Sequence, residues 1–282
     1  MSPEPAAAPE RRALRIVHRR HFASWVFAAL VLAFVAVVVS AGVKSRILDL
    51  GVVGRYIFSP EIVTGAINSI ALGTVALFLA FAVGLVIALM RVSGNPILVG
   101  FSATYVYLFR GTPMLIQLIF WFNAFPTMFK ELHLEVFGWV LIDVPMTRLI
   151  TPYLAALLGL SLAEGAYMAE IIRGGILAVD TGQRDAARSI GMTTGRLMRK
   201  IVLPQAARII VPATGNQYIM LLKSTSLAST IGYLELLRIT TDIYSANFRV
   251  VELLTVAAFW YLVMTAFATA LQTGLEKKFP HR

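Results

Sequence analysis

Thr112, Gln117, Glu164, Asn216 and Gln217 are polar residues set inside stretches that are otherwise apolar. Polar groups within a bilayer are costly, about 2.5–3.5 kcal/mol for a charge near its centre on insertion scales, so they usually face a bundle interior or an aqueous cavity. Together these five are candidates for lining a polar path through the chain. Thr112 and Gln117 lie at and beyond a Gly111–Pro113 break, where an interrupted helix can present free backbone groups to a polar ligand. Each residue also has a plainer reading. Thr112 can bond its own helix backbone, and Glu164 can pair with Arg148 or with a neighbouring subunit. Asn216 can tie two helices together at about 1 kcal/mol or less. Arg110, just before the break, is expected to snorkel toward the inner surface.

A second constellation is polar for a different reason. The segment from Arg173 to Arg208 reads RGGILAVDTGQRDAARSIGMTTGRLMRKIVLPQAAR, with the local chemistry of a helix–turn–helix. Asp180 or Thr181 can cap a first helix, and Gln183 stands three residues after Asp180, as in a capping box. Gly191 suits the left-handed residue that ends such a helix. Thr193 or Thr194 can cap a second, short helix on which Leu197 and Ile201 share a face. Pro204 disfavours running that helix on without a break. Ala186 and Ala187 are small enough to let another surface approach, and Arg184, Asp185 and Arg188 surround them with charge. The segment is either a docking surface or a solvated basic loop.

Catalysis has no support in the residues. The chain has no cysteine, hence no disulfide, thiol nucleophile or cysteine-based zinc site. It has no G-x-x-x-x-G-K-S/T phosphate loop, and Gly174-Gly175 is too little to cradle a phosphate. His18, His21, His133 and His281 lie in tails or loops and read as incidental.

The elements that must position these residues are membrane helices. Of 282 residues, 58% are hydrophobic and only 14% charged, with a mean hydropathy of +0.75. A soluble domain is nearer half apolar and a quarter charged. About 20 apolar residues cross the hydrocarbon layer as a helix. Six stretches are expected to do so: Ser24–Val43, Ile62–Met90, one within Ile97–Phe122, Leu149–Ile172, Ile209–Leu222 and Leu253–Leu271. The fifth is the shortest and most polar.

Lys and Arg then set the orientation. With the amino terminus inside, the inner segments hold Arg11, Arg12, Arg15, Arg19, Arg20, Arg91, Arg173, Arg184, Arg188, Arg196, Arg199, Lys200, Arg208, Lys277, Lys278 and Arg282. The outer ones hold Lys44, Arg46, Arg55, Lys130, Arg148, Lys223, Arg238 and Arg249. The ratio is about two to one, so both termini are expected in the cytoplasm. The formal charge of +10 is then accounted for without nucleic acid. Residues 1–10 are expected to be a disordered tail. The first apolar stretch exceeds the 7–15 residues or so of a signal h-region, so it is expected to remain as a span.

Between the fourth and fifth spans, the loop resembles the cytoplasmic "EAA" loop of bacterial ABC importer permeases. That pattern is an acidic residue, Ala-Ala, three residues, Gly, nine residues, then Ile-x-Leu-Pro. Here it is Asp185, Ala186, Ala187, Gly191, Ile201, Leu203 and Pro204, with every spacing kept and Asp in place of the usual Glu. Phe109-Arg110-Gly111-Thr112-Pro113 with Gln117 is similar to the third-span motif of the polar amino acid branch. Glu164-Gly165-Ala166-Tyr167-Met168-Ala169-Glu170 looks like the end of its fourth span. Gly215-Asn216 and Leu222-Lys223-Ser224-Thr225-Ser226-Leu227 look like its fifth-span region. The likeness covers about residues 60–279. Residues 130–146 look like an outer-loop insertion that either forms an amphipathic segment over the pore or simply fills space.

The resemblance implies an all-α integral membrane protein of the type I importer fold, with one extra N-terminal helix before a five-helix core. The expected layout is a basic tail at 1–23, the extra helix and outer loop at 24–59, and the permease domain at 60–279 with its coupling loop at 173–208. The loop would dock a cytoplasmic ATPase dimer. ATP and Mg would be held on that dimer and no cofactor on this chain. A second permease subunit, identical or sister, an extracytoplasmic amino-acid-binding protein and membrane lipid complete the expected partners, in a bacterial inner membrane. ATP binding would drive alternating access. In the substrate path, Glu164 would hold a substrate ammonium, and Lys223 or an exposed helix N-terminus its carboxylate. Acidic, basic and neutral polar amino acids and opine-like compounds all fit. Two other readings stand beside this one. An ion-coupled secondary transporter would use Glu164 and Glu170 as a proton relay and predicts inverted halves, of which no repeat is visible. A non-transporting scaffold would need the loop but no polar groups in the spans.

Overall fold

The computed structural model describes residues 22–45, 48–136 and 139–278. Residues 1–21 of the expected tail, with its arginines, His18 and His21, lie outside the described residues, as do Arg46, His281 and Arg282. Helix α1 covers Phe22–Lys44, 23 residues, matching the first expected span. It belongs to a unit of its own, separate from residue 50 onward. Its Trp25, Phe27, Leu30, Leu32 and Phe34 are exposed, which suits a surface covered by lipid rather than water.

In the second unit, α2 (Leu50–Tyr56) leads to α3 (Pro60–Arg91), with proline at its first position, where a missing amide costs nothing. Asn95 caps α4 (Pro96–Gly111): its side chain accepts from the amides of Ile97 at 2.9 Å and Leu98 at 3.4 Å. The expected break follows. The chain resumes as α5 (Met114–Ile119), passes a π-helical turn at Phe120–Ala124, and ends in α6 (Phe125–Met128).

Residues 131–145 then correct the all-α expectation. Strands β1 (Glu131–Val136) and β2 (Trp139–Pro145) form an antiparallel hairpin with a bulge at Leu134/Glu135. His133 lies opposite Asp143 there, 3.7 Å apart. Alternating polar and apolar residues, Glu131-Leu132-His133-Leu134, carry the period of two of a strand, a pattern that an amphipathic helix cannot use.

A short α7 (Met146–Leu149) leads to α8 (Pro152–Leu177). This helix starts later than expected because Thr151 caps it, accepting from the Leu154 amide at 3.2 Å. Next come α9 (Thr181–Ser189), α10 (Thr194–Leu197), a π-helical turn at Met198–Val202 and α11 (Leu203–Ser224). Thus the fifth expected stretch sits in a 22-residue helix that begins before it. A 3-10 turn at Thr225–Ile231, α12 (Leu236–Asn247) and α13 (Val250–Lys278) complete the chain. By length and composition α3, α8 and α13 are each able to cross a membrane.

The core is built on α3 and α8. A Cβ added at Gly84 would stand 2.5 Å from the Met168 Cβ and 2.9 Å from the Ala169 nitrogen, so only glycine lets the two backbones approach this closely. Small residues continue the seam on α8, where Ala155, Ala156, Gly159, Ala163, Gly165 and Ala166 are all buried. Lipid tails are as apolar as leucine, so such close packing, rather than hydrophobicity, holds membrane helices together.

At the end of α3 far from α9, a buried carboxylate gathers three helices. Glu235 is fully buried at the N-cap of α12. It accepts from the amides of Leu237 at 2.9 Å and Arg238 at 2.7 Å, and from the Tyr261 hydroxyl of α13 at 2.8 Å. Ser69 of α3 lies within 3.4 Å and itself accepts from the Leu236 amide at 3.1 Å.

Two outcomes are expected. Gly84→Val destabilises the chain by about 1–3 kcal/mol through overpacking, while Gly100→Val, where nothing stands within 4 Å, does not; unfolding temperature in mild detergent compares them. Glu235→Ala removes a cap and strands buried donors, for a loss of about 1–3 kcal/mol. Glu235→Gln, which keeps an acceptor, loses less in the same measurement.

Candidate functional site

The segment between α8 and α11 is a built helical hairpin. Asp180 caps α9 by accepting from the Gln183 amide at 3.0 Å, as its position predicts. The reciprocal half of the capping box does not form. The Gln183 side chain instead accepts from the Gln205 side chain of α11 at 2.7 Å, which ties α9 to the following helix.

Gly191 has φ +77° and ends α9 as a Schellman motif. Its amide donates to Arg188 O at 2.9 Å, and that of Met192 donates to Ala187 O at 3.0 Å. The motif's usual hydrophobic contact is present too, since Met192 packs on the cluster that contains Ala187. That cluster joins Ile172 and Ile176 of α8, and Val179 just after it, to Leu197, Val202, Ala206 and Ile210. The loop is therefore packed against the ends of the spans and not tethered loosely below them.

The structure divides the Ala-Ala pair. Ala187 is buried in that cluster, whereas Asp185 and Ala186 are exposed on the outer side of α9. Leu197 is buried and Ile201 half-buried, as their shared face predicts, while Leu203 and Pro204 are exposed. Pro204 does not stop the helix. The π-helical turn just before it absorbs the change, and Pro204 falls in the first turn of α11, where its lost amide is harmless. Arg184 donates to the Ile176 carbonyl at the end of α8, and Arg188 faces Asp185 at 3.4 Å.

The six intramembrane candidates fall into two pairs and two separate residues. At the break after α4, Thr112 donates to Leu108 O at 2.8 Å, its plainer reading. The Gln117 amide donates to Phe109 O at 3.0 Å, Thr112 O at 3.1 Å and Thr112 Oγ1 at 2.9 Å. Gln117 thus satisfies carbonyls that the break sets free, and its own Oε1 is buried without a partner among the described residues. The second pair is Glu164, buried on α8, and Gln217 of α11, whose side chains lie close enough to interact. Among the described residues Glu164 Oε1 is buried with no partner, and Arg148 does not pair with it. Leu118, next to Gln117, packs at Gly159, so the pairs lie about 7 Å apart along the axis of α8. Asn216 and Lys223 are exposed and join neither pair.

Arg110 reaches back as snorkelling predicts. Tyr105, earlier on α4, donates to Leu162 O at 2.7 Å. Arg110 nonetheless places its guanidinium 5.0 Å from the ring of Tyr167, nearer the α9 end of α8. Glu170 pairs with Arg173 at 2.7 Å. Residue patterning missed Glu235, because the usual N-cap residues are Ser, Thr, Asp and Asn and glutamate is not among them. It also missed the Gln183–Gln205 link, which no local spacing encodes.

Comparison with known proteins accords with this geometry. Residues 80–280 match the family described as binding-protein-dependent transport system inner membrane component. The arginine transport system permease protein ArgU of Corynebacterium glutamicum is 40% identical over 261 residues, 92% of this chain and 81% of the relative. The nopaline transport system permease protein NocM of Agrobacterium fabrum is 38% identical over 214 residues, 75% and 85%. The glutamine transport system permease protein GlnP of Escherichia coli is 30% identical over 219 residues, 78% and 93%. A solved amino acid ABC transporter with histidines matches with a TM-score of 0.68 at 33% identity, covering 78% of this chain and 95% of that one. The methionine ABC transporter MetNI, in an inward facing conformation, matches with a TM-score of 0.64 at 19% identity, covering 78% and 97%, a likeness of fold. The chain belongs to the inner membrane components of binding-protein-dependent transport systems, the permease subunits of ABC importers.

Proposed function

We propose that this permease moves polar amino acids into the cytoplasm by alternating access, driven by a separate ATPase dimer that docks on α9. The observation that carries the coupling role is the Asp185–Pro204 segment, which keeps every spacing of the coupling pattern and is packed into the ends of α8 and α11. Asp185 and Ala186, exposed on the outer side of α9, form the contact. Ala187, Leu197 and Ile201 hold it to the spans, and Gly191, Leu203 and Pro204 shape it. ATP and Mg are bound by the ATPases, not by this chain. A second permease subunit, identical or sister, and an extracytoplasmic amino-acid-binding protein complete the assembly. Six helices cross the inner membrane, with both termini in the cytoplasm and the 131–145 hairpin on the outer side.

The substrate class follows from relatives that carry arginine, nopaline and glutamine in their names. These relatives favour an importer over ion-coupled transport or a passive scaffold. Within the spans, Glu164 is the best-placed partner for a substrate ammonium, because one carboxylate oxygen is buried and unmatched among the described residues and Gln217 of α11 stands beside it. Thr112 and Gln117 shape the broken helix beside the path. Asn216 and Lys223 contribute only where a second subunit closes over them.

Gly191→Asp tests the coupling role. A Cβ at Gly191 meets nothing within 4 Å, and Asp is among the residues that tolerate a left-handed backbone. The variant therefore adds charge to the docking face without unfolding the spans. It is expected to lose the ATPase on purification in mild detergent and to abolish ATP-driven uptake, while wild type keeps both. Normal uptake by the variant overturns the assignment. For the substrate path, Glu164→Gln is expected to raise the half-saturating amino acid concentration about tenfold, the order expected for one charge-assisted hydrogen bond, with ATPase retention unchanged. An unchanged concentration removes Glu164 from the path.

A further inference from the structure

A cavity of about 340 Å³ opens where α3 and α8 end, walled on its other sides by α9, α10 and the π-helical turn that follows. Its polar wall is four arginines, Arg91, Arg173, Arg184 and Arg188, with Thr194 beside them. Two of the four are answered within the chain, Arg173 by Glu170 at 2.7 Å and Arg188 by Asp185 at 3.4 Å. Among the described residues no carboxylate pairs with Arg91 or Arg184. Arg184 gives one N–H to the Ile176 carbonyl, and its Nε is buried without a partner. Two guanidinium groups thus share one small space without an ion pair of their own, and Glu170, which lies within electrostatic reach of Arg91, is already held by Arg173, an arrangement that calls for an external anion.

The position says which anion. Both α3 and α8 are long apolar helices, and their last residues mark the level where a bilayer's headgroups lie. Beside the arginines the wall turns apolar, with Val92 and Leu177 exposed at 36% and 51%. Arg184, Ala187 and Arg188 share one face of α9 at i, i+3 and i+4. Since Ala187 is buried in the core, that face turns toward the spans. Basic pockets between membrane helices at this depth suit phosphate-bearing headgroups, and the volume falls in the range of small-molecule sites.

We propose that this cavity binds the phosphate of an anionic phospholipid, held by Arg91 and Arg184, with the acyl chains running past Val92 and Leu177. The site links the lipid leaflet directly to α9. The inference rests on α3 and α8 crossing the membrane and is independent of what the chain transports.

The test is native mass spectrometry of the full-length chain with its ATPase, released from mixed micelles holding equal phosphatidylglycerol and phosphatidylcholine. Wild type is expected to retain phosphatidylglycerol over phosphatidylcholine by about thirtyfold, the order expected for two arginines at a lipid surface. R91Q/R184Q brings the ratio close to one. R91Q alone, which leaves the Arg184 bond to Ile176 in place, lowers it partway and guards against a misfolded double variant. R199Q/K200Q removes two exposed charges from the same segment outside the cavity and keeps the wild-type ratio. Equal retention by wild type and R91Q/R184Q overturns the proposal. So does an equal loss in R199Q/K200Q, which would mean diffuse surface charge. Displacement of the lipid by millimolar inorganic phosphate would make the ligand a free anion. Lipid held by the isolated chain but absent from the ATPase complex would give the arginines to the partner's carboxylates. Either result also overturns the lipid assignment. If no ATPase is retained the importer reading falls, and the lipid ratio of the chain alone still decides the site.

Discussion

The close approach of α3 and α8 underlies the rest of the molecule. In lipid no hydrophobic force drives two apolar helices together, so association depends on how many atoms can touch. Gly84 against Met168 and Ala169 brings the backbones within a distance that any side chain would prevent. Other elements then pack on this pair. α4 reaches it through Tyr105, α5 through Leu118 at Gly159, and α11 through Ile210 at Gly175. The candidate loop hangs from the ends of α8 and α11, so its position is inherited from the same seam.

A second constraint is that the bilayer interior supplies no hydrogen bonds. The chain answers it from within. Gln117 covers the carbonyls freed at the break between α4 and α5. Glu235 covers the first amides of α12 and binds Tyr261 across to α13. Each is a polar side chain that a solvent-exposed helix end would not need. The unmatched oxygens of Gln117 and Glu164 stand out against this economy, and of the two only Glu164 is an acid that a cationic group can answer.

Much of this was legible in the sequence because the signals are local. Apolar run length located the helices, Gly111–Pro113 the break, and Asp180 with Gly191 the ends of α9. What escaped is mostly non-local. Gln183 was expected to close a capping box, but the tertiary partner Gln205 competes for its side chain. Ala187 was read with Ala186 as one docking face, since a sequence does not say which side of a nine-residue helix meets its own core. The π-helical turn at Met198–Val202 leaves no compositional mark, and Pro204 without it reads as a break. The hairpin at 131–145 is the exception. Its alternation was visible, but strands are not expected in a chain whose other long elements are membrane helices.

The packing of α9 has a mechanical consequence. A loop joined to the spans only through its two ends would act as a string, able to pull but not to push. Here the Arg184 bond to the Ile176 carbonyl, the shared cluster around Ala187 and Val202, and the Gln183–Gln205 link fasten α9 at three separate points. Three points fix orientation as well as position. The segment therefore behaves as a handle: a displacement applied to α9 in either direction turns the adjoining ends of α8 and α11 with it, and little of it is lost in bending.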